Sequence, residues 1–190
     1  MKHGKMLGLL AVAAAAFLAF AATASATLTS PTGTVLNKGA HIHAVSEGHV
    51  ALDPASLPTI ECESTVTGEV AANGGTSGPI ISLIFAPCTN EWHVTTATGG
   101  ELEIVGDGIA GTYNGTVYSK GATVEATRFG VNCRYATAAT TKIGSFTGGS
   151  PGTMHIEANI PFHSGSFLCG SGATEWRGDY VTTASLYVDG

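Results

Sequence analysis

Hydrophobic and polar residues alternate along most of this chain with a period of two. The clearest run is Ile60 to Val70. Ile60, Cys62, Val66 and Val70 point one way; Glu61, Glu63, Thr65, Thr67 and Glu69 point the other. Such alternation requires a strand with one buried and one wet face. Met154, Ile156, Ala158, Ile160 and Phe162 repeat it, with His155, Glu157 and Asn159 outward. Ile80 to Phe85 is a continuous apolar run closed by Pro87 and Cys88, which suits a central strand. Trp92 and Val94, then Leu102 and Ile104, alternate with polar neighbours, and Trp176 with Tyr180 and Leu186 with Val188 predict two more strands. Between Thr123 and Tyr135 the pattern changes phase. Val124 and Ala126 share one parity, while Phe129, Val131, Cys133 and Tyr135 share the other, so a bulge or strand break falls near Arg128–Gly130.

Glycine-rich turn signals punctuate these runs at Asn73-Gly74-Gly75, Gly99-Gly100, Asn114-Gly115 and Thr147-Gly148-Gly149-Ser150. No stretch after Ala26 carries a helical period. About ten short strands predict an all-β, antiparallel β-sandwich of jelly-roll or immunoglobulin-like type, or a related barrel.

The first 26 residues read differently. Lys2 and Lys5 form a basic head, Met6 to Ala22 is apolar, and Ala24-Ser25-Ala26 offers the small residues of a cleavage site. The expected organisation is a signal peptide over 1–26 cleaved after Ala26, an N-terminal arm or edge-strand region over 27–58, and a β-sandwich core over 59–190. Residues 27–190 then form a single domain, secreted or held at the cell envelope. Loss of Lys2 and Lys5 with the leader leaves six basic side chains against 14 acidic ones, a net charge of −8 with His neutral. That lacks the electrostatic footprint of nucleic-acid binding, and no second apolar run is long enough to span a membrane.

Cys62, Cys88, Cys133 and Cys169 are an even set in an exported chain, which reads as two disulfides. Pairing Cys62 with Cys88 and Cys133 with Cys169 joins neighbouring strands. Their spacings contain no CxxC knuckle, which argues against structural zinc.

The order of motifs resembles a known group. It runs from the Cys62 strand through Gly74-Gly-Thr-Ser-Gly-Pro-Ile80, Pro87-Cys-Thr89, Gly130-Val-Asn-Cys-Arg-Tyr135 and Ile143-Gly-Ser-Phe-Thr-Gly-Gly-Ser-Pro151. It ends with Phe167-Leu-Cys-Gly170, Trp176-Arg-Gly-Asp-Tyr180 and Ser185-Leu-Tyr-Val188. Over residues 60–188 this is similar to the small, exported, two-disulfide β-proteins of high-GC actinobacteria. The resemblance implies the fold class and export; it implies no activity and no site residues.

Candidate chemistry is sparse. His41 and His43 lie on one face of a strand about 6.5 Å apart, and with His49 or Glu47 folded over they would form a surface Zn²⁺ or Cu²⁺ site. Glu61/Glu63 and Glu101/Glu103 have similar spacing, within the range of paired glycosidase carboxylates, and near Asp107 the acids suit a weak Ca²⁺ ion. A serine nucleophile has no support: the Gly-x-Ser-x-Gly match Gly148-Gly149-Ser150-Pro151-Gly152 falls in a glycine-rich turn with no helical period after it, not at a strand-to-helix nucleophile elbow. Trp92, Trp176, Tyr113, Tyr118 and Tyr187 are candidates for a sugar-stacking platform. Arg177-Gly178-Asp179 and the Asn114-Gly115-Thr116 sequon are explained by strand and turn context. The expected function is an exported, non-enzymatic structural or interaction protein of the cell surface or medium. Its partners would be further copies through edge strands, with residues 27–45 as a donated strand, or cell-surface glycan. The alternatives are a carbohydrate-binding module and a secreted hydrolase acting on polysaccharide.

Overall fold

The computed structural model describes residues 26–189; the expected signal peptide lies, but for Ala26, outside the described residues. The chain is all-β and carries two disulfides, Cys62–Cys88 and Cys133–Cys169, the pairing that joins neighbouring elements.

The wall is built from long, kinked staves. β2 (His41–Ser46) and β3 (Val50–Pro54) both lie between β4 (Ile60–Glu69) and β14 (Thr174–Thr182), so they are two halves of one stave. β5 (Ser77–Cys88) takes β6 (His93–Thr98) and β7 (Glu101–Gly106) in succession along its other edge. β8 (Asn114–Lys120) with β9 (Thr123–Arg128), β10 (Val131–Ala136) with β11 (Thr141–Thr147), and β12 (Thr153–Ile160) with β13 (Phe162–Gly165) continue the scheme. Each stave pairs antiparallel with the next, and β14 returns to β2 and β3. The ring β2-β4-β5-β7-β8-β11-β12-β14 therefore closes as an eight-stranded barrel. Because sequential staves are spatial neighbours throughout, it is an up-and-down meander. This corrects the sandwich expectation: the sheet curls onto itself instead of splitting into two facing layers.

Closure has a local cause. At Gly99-Gly100 the chain bends without reversing, contrary to the turn predicted there. A Cβ on Gly99 would stand 2.4 Å from the Ile80 carbonyl oxygen, and Gly100 has φ +70°, so only glycine lets the stave kink against β5. The parity change before Tyr135 is a true strand break, a two-residue hairpin turn of Phe129 and Gly130 between β9 and β10. Asn114-Gly115, by contrast, opens β8, and the preceding loop is held by Asp107. Its carboxylate accepts from the Ile109 amide (2.9 Å) and the Thr112 hydroxyl (2.8 and 2.9 Å).

Inward side chains form one core that includes Ile60, Leu83, Val117, Ile143, Ile156 and Tyr180. The outer face of β4 and β12 presents Glu61, Glu63, His155 and Glu157. An apolar lumen in a charged wall inverts the polarity of a membrane-spanning barrel. Ile81 and Ile84 point outward and are half exposed, so the β5 run is buried on one face only. Residues 41–54 belong to the wall, not to an arm. β1 (Thr27–Thr29) pairs with β15 (Tyr187–Asp189) across one end, with Leu28, Leu186 and Val188 buried beneath.

Candidate functional site

The two ends of the barrel differ. One, called the terminal end, is closed by the β1–β15 pair. The other, the stapled rim, carries both disulfides, the short 3-10 turns Thr89–Glu91 and Phe167–Cys169, and the β9–β10 hairpin. The Ser166 hydroxyl accepts from the Leu168 amide (3.3 Å) and sets the second turn, which Cys169 then ties to Cys133 on β10. This arrangement holds Phe167 90% exposed and leaves Leu168 exposed beside it. Phe129 is 78% exposed and sits in the left-handed region at φ 46°. Glu91 (φ 60°) and Asn90 (φ 53°) share that conformation on the same rim. A bulky residue at positive φ is a genuine outlier, whereas Asn tolerates it.

Arg128 bridges the rim. Its guanidinium carbon lies 4.9 Å from the Phe129 ring centroid and 5.9 Å from that of Trp92. Around them runs an open groove of about 700 Å³ lined by Glu91, His93, Arg128, Phe129 and Asn132. On the outer face of the hairpin, Glu125 accepts from Arg134 Nε (2.8 Å) and from Asn132. The Arg134 bond holds the Glu125 carboxyl below its usual range against the effect of burial, with Asn132 assisting.

Inside the barrel lie two voids of about 40 and 70 Å³. Between them the Tyr180 hydroxyl donates to Ser64 Oγ (3.0 Å), and burial pushes its pKa up to about 12. Ser119 and Thr137 share a bond at 3.2 Å nearby. Tyr135 Oη and Trp176 Nε1 are buried with no hydrogen-bond partner. The indole nitrogen faces the Tyr180 hydroxyl without reaching good bonding geometry.

The expected metal ligands do not converge. His41 Nε2 is 3.8 Å from Glu69, His43 Nδ1 bonds the Thr67 hydroxyl at 2.9 Å, and His49 sits in the bulge between β2 and β3. Among the described residues no three His, Cys, Asp or Glu side chains come together to hold an ion. Glu61 and Glu63 are exposed on β4. Glu101 and Glu103 border a shallow cleft with Tyr118, where Glu101 faces Lys120 at 3.9 Å. The aromatic platform is dispersed: Trp92 is buried, Trp176 lines the lumen, and Tyr113 packs edge-on against Tyr187 (5.0 Å) at the terminal end. Arg177 is engaged with Asp53 and Glu175 on the barrel wall.

One row was invisible in the sequence. Register places Ser145, His155 and Asp179 side by side across β11, β12 and β14. His155 Nδ1 meets Asp179 at 2.6 Å and its Nε2 faces Glu157 at 3.7 Å. The hydrogen bond to Asp179 raises the imidazole pKa, with Glu157 adding to it. The ring thus turns its second nitrogen to a carboxylate on a convex wall, the arrangement of an ion-pair cluster and not of an activated serine.

No family model, curated protein or solved structure matches this chain.

Proposed function

We propose that this chain is an exported, non-enzymatic protein of the cell surface or surrounding medium that works by contact, with the stapled rim as its contact surface. The basic-apolar leader and the two disulfides support an oxidising destination. The observation that carries the reading is Phe129. A left-handed backbone costs an L-residue about 1–2 kcal/mol, and a Phe ring left in water forgoes about 1.5–3 kcal/mol of burial. Two-residue hairpins of this kind favour Asn before Gly. The contact of the ring with Arg128 contributes only about 0.5–1 kcal/mol and does not exceed the backbone cost. A chain selected only to fold therefore gains no net stability from Phe here, and Phe167 repeats the exposure on the neighbouring loop.

The experiment compares fluorescently labelled mature protein with an F129N/F167S variant for retention on intact cells of the producing organism. Retention of the native protein and its loss by tenfold or more in a variant with unchanged circular dichroism is expected. Equal retention of both proteins, or none of either, refutes the reading.

The rim groove also favours a carbohydrate-binding module. It sets an exposed ring among Glu91, His93 and Asn132, the combination of apolar face and polar edge that suits a sugar. A glycan array read with the native protein and with F129N separates the two readings: sugar-specific signal that depends on Phe129 selects the module, and a blank array removes it.

A further inference from the structure

We infer that the barrel lumen is a binding site for a small, neutral, mainly apolar molecule carrying one carbonyl oxygen. The two voids share Val66, Ile80, Leu102, Met154 and Tyr180 as walls. The shared residues include an unbranched thioether, the side chain that most readily re-packs around a guest. Joined, the voids offer somewhat less than the roughly 150 Å³ of a dry protein cavity that takes up benzene. The guest that fits without adjustment is therefore no larger than about six non-hydrogen atoms, and one of about seven requires Met154 to shift.

Polarity assigns its orientation. The larger void, toward the terminal end, is walled mainly by apolar groups, Leu28, Ile104, Phe146 and Leu186 among them. Glu69, Thr76, Ser77 and Thr182 are also on its lining, and its apolar wall takes the hydrocarbon part of the guest. The smaller is bordered by Tyr135, which is 0% exposed and whose hydroxyl has no partner. An unmet buried hydroxyl costs about 1–3 kcal/mol, and burial raises the phenol's pKa, so it keeps its proton to donate. Trp176 Nε1, a donor only, borders the same void but is turned to the Tyr180 hydroxyl. The unpartnered Tyr135 hydroxyl at one end of an apolar chamber calls for an acceptor. No Lys, Arg or His borders the smaller void, so a carboxylate would be buried without a counter-charge and a neutral carbonyl is selected.

The route in is at the terminal end. Leu28 and Leu186 cover the larger void, and that cover is held without a disulfide, by the three-residue pairing of β1 with β15 and by backbone hydrogen bonds of Leu28 to Gly74 and Leu36 and of Leu186 to Gly149.

The test uses the mature, oxidised protein with cyclohexanone and methylcyclohexane as probes of matched shape, followed by NMR at the Met154 methyl and the Trp176 indole N–H. Saturable shifts at both positions are expected with cyclohexanone. Tyr135→Phe should weaken cyclohexanone about tenfold and leave methylcyclohexane unchanged, and the F129N/F167S rim variant should bind as the native protein does. Leu102→Trp, which fills the shared wall, should abolish both; should it fail to fold, the conservative Tyr135→Phe comparison decides alone. Absence of saturation, equal ketone affinity in Tyr135→Phe, or an ordered water on Tyr135 Oη that cyclohexanone does not displace overturns the inference.

Discussion

Replacing Phe129 tests the rim most directly, because two effects of opposite sign meet at one residue. Its backbone, at φ 46°, is one that Asn adopts readily and a bulky side chain does not. Removing that penalty returns about 1 kcal/mol. Its ring also lies 4.9 Å from the Arg128 guanidinium, and an exposed cation–π contact contributes about 0.5–1 kcal/mol. Phe129→Ala loses the contact and keeps the penalty; Phe129→Asn loses both. The Asn variant should therefore be more stable than the Ala variant by about 1 kcal/mol, and equal to or slightly above the native protein. For a domain of this size that separates the two melting temperatures by about 2–4 °C. Thermal unfolding followed by circular dichroism at 1 °C steps resolves the difference. Equal melting temperatures for Asn and Ala, or Ala above Asn, would show that the turn is not strained at this residue and would remove the main support for a functional Phe129.

Three further outcomes are expected. Replacing both Cys133 and Cys169 with Ala opens a loop of 36 residues and should cost about 3–4 kcal/mol; a urea midpoint within error of the native value contradicts this. Tyr180→Phe strands the Ser64 hydroxyl, which is 2% exposed, and should lower unfolding free energy by about 1–2 kcal/mol; an unchanged midpoint means that Ser64 has found another partner. His155 has a raised pKa in the folded state, so its contribution is fully present below pH 6.5 and is lost as pH rises through the folded pKa. Since the pair is more than half exposed, the effect is a few tenths of a kcal/mol, and melting of the native protein relative to Asp179→Asn should fall between pH 6 and 8. A flat difference across that window would contradict it.

Alternation along β4 and β12 was legible because those staves keep one parity over most of their length. So were the turn at Gly74, the break after Arg128 and the disulfide partners. Closure was not. A strand with one buried face has the same period whether it faces a second sheet or a lumen, and the contacts that close the ring join the first stave to the last, as Ala44 to Thr182. Register shifts near Gly68 and Lys142 hide further phase changes. Ser64 illustrates the cost: a polar residue at an inward position, explained only by Tyr180, 116 residues away. The rim was hidden by chemistry. Phe129 shares the parity of Val131 and Cys133 and is apolar, so sequence logic assigns it to the core. Its exposure follows from the hairpin turn at Phe129-Gly130, which points it away.

The position of the disulfides is consistent with that strain. Glu91 and Phe129 hold backbone conformations that cost about 1–2 kcal/mol each, and both stand on the end where Cys62–Cys88 precedes the Glu91 turn and Cys133–Cys169 follows the Phe129 turn. Loop closure supplies about 3–4 kcal/mol per bridge, more than either strained residue subtracts. The terminal end has no covalent tie and closes instead through Leu28, Leu186 and Val188 over the lumen. Covalent restraint is thus spent where the surface is least favourable to folding, and the end closed without a disulfide is the one that covers the larger void. The proposed contact surface and the proposed chamber thus lie at opposite ends of one barrel, with both disulfides at the first and a noncovalent cover over the second.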